Sequence, residues 1–190
     1  GYCKPYGNGQ MFTNLLDGYS VIIPSSMSVD LSYSDTGAII YDNTKTLKIF
    51  KETFNTSSER LSYLVYSNKF KNNTVNHYIT KNETYKNGNR EYHVLEWSRS
   101  RLSQIPNDKN FYSCIDVCIG ARVYTFFFNS SIPFSQDASY MDIVNSLQTF
   151  DPVIPDSNAY NRGYKKSDVS RLNSSAAQTY QKLFSEEASF

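Results

Sequence analysis

The chain has 190 residues, with 19 basic and 18 acidic side chains and a formal net charge of +1. That length suits one domain of ordinary size plus a tail, with ample chain to bury a core. The balanced charge argues against a nucleic-acid partner held through its phosphates. No apolar run approaches the roughly 20 residues of a membrane-crossing helix, and an aromatic content of 15% does not suit disorder.

Residues 1–10 contain Gly1, Pro5, Gly7 and Gly9 and read as a flexible lead-in. Asp17-Gly18 is a turn signal ahead of a short strand, Tyr19–Ile23, closed by Pro24. Ser25–Ser34 is polar and reads as an irregular connection. Ile39–Asp42 and Thr46–Phe54 form an expected hairpin about Asn43-Thr44, with Leu47 and Ile49 on one face. The period then changes. Over Ser57–Phe70, Leu61, Leu64, Val65 and Phe70 share one helical stripe, and Ser57 or Ser58 can cap it.

The middle of the chain reads as strands of one antiparallel sheet. Val75–Tyr85 and Arg90–Ser100 flank Lys86-Asn-Gly-Asn89, a strong hairpin turn, and the Gly120 break joins Phe111–Ile119 to Ala121–Asn129. Tyr140–Thr149 carries Met141, Val144 and Leu147 at helical spacing, and Asp151-Pro152 stops it. Residues 153–166 read as linker. Ser167–Glu187 reads as a C-terminal helix with Val169, Leu172, Ala176, Tyr180 and Leu183 along one side, leading toward a downstream domain.

Candidate chemistry is sparse. Trp97, the only tryptophan, shares a face with His93, Leu95 and Arg99 by alternation. With Tyr92, Tyr112 and Tyr124 it forms a candidate ligand-binding platform, since flat aromatic rings accept the C–H faces of sugars. The competing reading is a core Trp97 with His93 hydrogen-bonded beside it, because tryptophan is highly buried on average. Asp108 and Asp116 are the acids nearest the central strands, while Glu91 and Glu96 point to opposite faces. No two of these form the facing carboxylate pair a glycosidase requires. Asn107–Asn110 lacks the glycine and terminal glutamate of a calcium loop and reads as a turn. His77 pairs near residue 98 if the turn centres on Asn87-Gly88, well away from His93, so the two histidines make no acid–base pair.

Cys114 and Cys118 share a strand face about 13 Å apart, beyond the reach of a disulfide. They read as buried free thiols; Cys3 can in principle join either one. Neither histidine has ligand-type spacing with a cysteine, so no metal site is expected, and no cofactor is expected either. The five Asn-x-Ser/Thr sequons (Asn55, Asn72, Asn82, Asn129 and Asn173) reflect composition.

Phe12, Gly18-Tyr19 and Pro24 resemble the opening hairpin of the PsbP-like α/β fold. Val123-Tyr-Thr-Phe-Phe-Phe128, Tyr140–Ser146 and Phe150 resemble that fold's final strand and helix. A longer pattern comprises Ile39–Asn43, Lys48–Lys51, Glu96–Arg99, Asn107–Tyr112 and Val123–Thr125. Across about residues 11 to 150, it resembles the domain that precedes the catalytic barrel in certain secreted, glycoside-hydrolase-like proteins of Gram-positive bacteria. Tyr180–Phe190 resembles the approach to that barrel. The resemblance implies that the catalytic carboxylates lie outside this chain.

The expected fold is therefore α+β: a twisted, mainly antiparallel PsbP-like sheet over residues 11–152, with the Ser57–Phe70 and Tyr140–Thr149 helices on one face and a C-terminal helical appendage. The expected function is a non-catalytic accessory domain of an exported, extracellular or cell-surface bacterial protein, its export signal removed. Its expected partners are a downstream catalytic domain of the same polypeptide and polysaccharide, without nucleic acid or a transmembrane segment. The rivals are a structural spacer, a carbohydrate-binding module using an aromatic sheet face, and a small hydrolase.

Overall fold

The computed structural model describes residues 2–14, 17–30, 39–53, 77–99 and 109–151. The strands are β1 (Tyr2–Tyr6), β2 (Gly9–Asn14), β3 (Tyr19–Pro24), β4 (Ser28–Asp30), β5 (Ile39–Tyr41), β6 (Lys45–Thr53), β7 (His77–Asn87), β8 (Arg90–Arg99), β9 (Phe111–Ile119), β10 (Arg122–Ser130) and β11 (Gln148–Thr149). The helix α1 (Tyr140–Asn145) follows β10 after a 3-10 turn at Phe134–Gln136. Four strands form one sheet in the order β1-β2-β3-β11, and seven form another in the order β4-β5-β6-β10-β9-β8-β7.

This corrects the expected α+β arrangement. The described residues form two antiparallel sheets and one α-helix, not a single sheet with two helices on one face and a helical appendage. The expected helices over Ser57–Phe70 and Ser167–Glu187 lie outside the described residues, as do Asp108 and the linker 153–166. Where a loose lead-in is expected, Tyr2–Tyr6 pairs with β2 across the Gly7-Asn8 turn, from Tyr2 opposite Thr13 to Tyr6 opposite Gly9.

The helix expected over Tyr140–Thr149 stops after six residues, at Asn145. Ser146 ends it: its hydroxyl lies 2.6 Å from the Ile143 carbonyl and accepts the Ile22 amide of β3 at 2.8 Å. A serine bonded to a neighbouring strand competes with helix continuation. The chain then turns into β11, placing Gln148 opposite Ser20 and Thr149 opposite Tyr19.

By compactness the chain divides into two units, and it passes from the first to the second within β6. In the first, Phe12, Tyr19, Val21, Ile23, Met27, Ile40 and Leu47 are buried together with Tyr140, Ile143, Val144 and Leu147.

The second unit is built on two tight hairpins. β7 and β8 meet around Gly88-Asn89, with Asn87 opposite Arg90; β9 and β10 meet around Gly120-Ala121, with Ile119 opposite Arg122. Gly88 (φ 62°) and Gly120 (φ 61°) take the positive φ that two-residue loops demand and that side-chain-bearing residues resist. The central strands β8, β9 and β10 are buried on both faces over most of their length. That is why β9 and β10 read as nearly continuous apolar runs, while β8 buries His93, Glu96 and Arg99 among its apolar residues.

Candidate functional site

Strand register converts the sequence into faces. His93 lies opposite Thr84 on β7 and opposite Asp116 on β9, and Asp116 lies opposite Thr125 on β10. A polar row, Thr84–His93–Asp116–Thr125, therefore crosses four adjacent strands on one face. Asp116 and Thr125 are fully buried, and His93 is 5% exposed. The Thr125 hydroxyl donates to Asp116 Oδ1 at 2.9 Å, and Thr84 Oγ1 lies 3.3 Å from His93 Nδ1. Cys114 and Cys118 flank Asp116 on the same face, opposite Leu95 and Glu91 of β8; both are buried thiols and neither forms a disulfide, as expected. Cys3, in β1, forms none either.

Burial pushes the His93 pKa below its ordinary 6.5, with the Glu91 carboxylate opposing that shift in part. The imidazole is thereby biased toward its neutral form. In composition the row resembles a hydroxyl–imidazole–carboxylate relay. Its bonding differs from one. The bond drawn from Asp116 Oδ1 runs to Thr125, on the side away from His93, and His93 Nε2 has no hydrogen-bond partner among the described residues. A relay needs both imidazole nitrogens engaged, one by the nucleophile and one by the orienting acid. The row depends on register: a one-residue slip would carry His93 and Asp116 away from Thr84 and Thr125 to the opposite face.

The four aromatic residues singled out in the sequence are all interior. Trp97 and Tyr112 are each 1% exposed and lie opposite one another on the His93 face, their rings stacked at 5.4 Å and 9°. Phe127 packs against both at 6.2 Å, and Arg99 lies over the Tyr112 ring at 5.3 Å. Tyr92 and Tyr124 are also buried, and alternation places them on the opposite face of the sheet. Sugar stacking requires an open ring face, so this arrangement is a core and offers no exposed platform. Alternation correctly grouped Trp97 with His93, Leu95 and Arg99. The exposed rings among the described residues are Tyr6, Tyr41, Tyr78 and Tyr85.

A second polar cluster went unread in the sequence. Lys45, 3% exposed, places Nζ 3.2 Å from Asp42 Oδ2 and 3.0 Å from Asp137 Oδ2. Burial alone would raise both carboxyls. For Asp42 the amides of Thr44 and Lys45, the Thr44 hydroxyl and the Lys45 ammonium outweigh it; for Asp137 the Lys45 ammonium with the Ser139 hydroxyl and amide do so. Both acids therefore sit below their ordinary 3.8. Asp42 followed by Thr44 and Lys45 signals a local turn. Nothing local brings Asp137, 92 positions after Lys45, into that turn.

No helix among the described residues is long and apolar enough to cross a membrane. No protein-family model and no curated protein matches the chain. Solved structures do match, and they define the fold as PsbP-like. Among them is the solution structure of cyanobacterial PsbP (CyanoP) from Synechocystis sp. PCC 6803, at a TM-score of 0.53 and 12% identity, covering 79% of this chain and 98% of that one. The PsbP-like expectation is met at the level of fold, which is as far as a likeness at that identity reaches.

Proposed function

We propose that this chain is a non-catalytic accessory domain of an exported bacterial protein, acting beside a glycoside-hydrolase-like catalytic domain of the same polypeptide. The observation that carries this reading is the position of the ionisable groups. His93 and Asp116 stand in the packed interior of a sheet, in a row whose bonds hold neighbouring strands in register. Side chains used in this way leave the domain's contribution to its outer surface. The resemblance of residues 11–150 to the domain that precedes a catalytic barrel supplies the kind of neighbour, and with it an extracellular or cell-surface setting. A polysaccharide contact, under this reading, falls to exposed rings such as Tyr6 and Tyr41 and not to Trp97, Tyr92, Tyr112 or Tyr124.

The test is to assay the catalytic domain with and without this domain attached, on a polymeric cell-wall polysaccharide and on a small chromogenic glycoside. Removing the domain is expected to raise KM for the polymer and leave the small glycoside unaffected. Turnover of either substrate by this chain alone, abolished in a folded Asp116→Asn variant, would make it a hydrolase and overturn the reading.

A further inference from the structure

β7 is the longest of the strands, 11 residues from His77 to Asn87, and ends the seven-stranded order with β8 on one side only among the described residues. Such an edge presents backbone N–H and C=O groups ready to pair with another strand. The side chains along it are open: Asn82, Glu83, Thr84, Lys86 and Asn87 are exposed, Tyr78 is 50% exposed and Tyr85 39%.

Register with β8 sorts these side chains. Tyr78, Lys81, Glu83 and Tyr85 oppose Ser98, Glu96, Val94 and Tyr92 and so share one face; Ile79, Asn82 and Thr84 oppose Trp97, Leu95 and His93 on the other. The register shifts between Ile79 and Lys81, so Thr80 is an extra residue in the strand, as in a β-bulge.

The central five residues, Thr80-Lys-Asn-Glu-Thr84, read as complementary to their own reverse. If two copies of β7 run antiparallel about a two-fold axis at Asn82, Lys81 of each lies opposite Glu83 of the other. Beyond that centre the extra Thr80 moves the register by one. Ile79 then meets Thr84, and Tyr78 meets Tyr85, on matching faces. Without the bulge, Tyr78 would fall opposite Lys86 and the faces would not match. Tyr85 already stacks on Tyr92 of its own chain at 4.9 Å and 7°. A facing Tyr78 from the second copy would extend that pair into a three-ring ladder at cross-strand distance.

The geometry points to β7 as a self-pairing edge, through which two copies of this chain associate by antiparallel strand addition centred on Asn82. Three features select a second copy over another partner: the Lys81–Glu83 complementarity, the bulge that brings Tyr78 into line with Tyr85, and the two-fold symmetry of both. The inference does not rest on the accessory-domain reading, and either can fail alone. One strand pair buries little area, so the association depends on concentration.

Sedimentation equilibrium of the full 190-residue chain over a dilution series tests it. A reversible monomer–dimer equilibrium is expected. Lys81→Glu and Glu83→Lys should each weaken it about tenfold or more, since each puts like charges opposite one another twice. An equimolar mixture of the two variants should associate like the parent chain, because each copy supplies the charge that the other lacks. Lys81 also lies 3.7 Å from Glu96 and 3.9 Å from Glu83 within the chain, so both reversals carry a folding risk. Asn82→Cys in a Cys3→Ser background covers that case: on the axis, it should give a disulfide-linked dimer under mild oxidation where Cys3→Ser alone gives none. A chain that stays monomeric throughout overturns the inference, as does a dimer indifferent to both charge reversals or a mixture that fails to associate. Absence of the Asn82→Cys cross-link overturns the register.

Discussion

The two compact units hold antiparallel strands together by different chemistry. In the second, long strands with both faces buried are held by packing: Trp97, Tyr112 and Phe127 from three neighbouring strands meet ring to ring. In the first, shorter pieces are tied by polar side chains. Gln10 donates to the Met27 carbonyl, Asn14 and Asp17 close their own turn, Ser146 anchors α1 to β3, and Lys45 bridges Asp42 and Asp137. A long strand gains register from many ladder bonds and a broad apolar face. A short one has few of either and relies on individual side chains, so the two regions should fail differently.

The largest expected effect is in the aromatic region. Trp97→Ala should cost about 3–5 kcal/mol in chemical denaturation, from lost transfer energy and the cavity left among Tyr112, Phe127 and Leu95. Next comes Lys45→Ala, which leaves two carboxylates facing one another without their cation and should cost about 3 kcal/mol. Lys45→Ala paired with Asp137→Ala should cost less than the sum of the single changes, and strict additivity would show that the pair does not act as one cluster.

The pH response should separate the regions. His93 has a lowered folded pKa, so the unfolded chain binds its proton more readily. Stability from keeping His93 neutral is complete above about pH 6.5 and declines as the pH falls from there toward the folded value. Asp42 and Asp137 have folded values below 3.8, so their contribution is complete above that pH and is lost only as the pH falls through the lower folded values. A stability–pH profile should therefore show two descending steps. His93→Gln should remove the upper step and leave the lower; a profile with its upper step intact in that variant would break the assignment.

The smallest change concerns the interior row itself. Thr125→Val should cost about 1 kcal/mol, the net worth of one buried hydrogen bond. Trp97 emission should be blue-shifted and unmoved by cell-wall oligosaccharides, because its ring has no open face.

Much of the second unit was legible in advance. The Asn87-Gly88 signal marks the first reversal to within one residue, the turn itself being Gly88-Asn89, and alternation along β8 assigned Trp97, His93 and Leu95 to one face. The pairing of Asp116 with Thr125 needed the two-residue turn Gly120-Ala121; the single Gly120 break expected from the sequence puts Asp116 opposite Tyr124, one residue off. Burial was not legible either. Alternation separates two faces without saying which is covered, and here the central strands are covered on both.

The sequence by itself determined the local events: the glycine turns, the alternation of β7 to β10, the Asp42 turn and the start of α1 at Tyr140. Each depends on residues a few positions apart, where sterics and hydrogen bonding act directly. Only the tertiary structure decided the rest. β1 became a strand because β2 was there to pair with it. α1 stopped at Asn145 because Ser146 found the backbone of β3, and Asp137 became half of an ion cluster because the fold brought it to Lys45. Those outcomes depend on partners distant in sequence, and a strand edge or a buried charge has no stable state until its partner arrives.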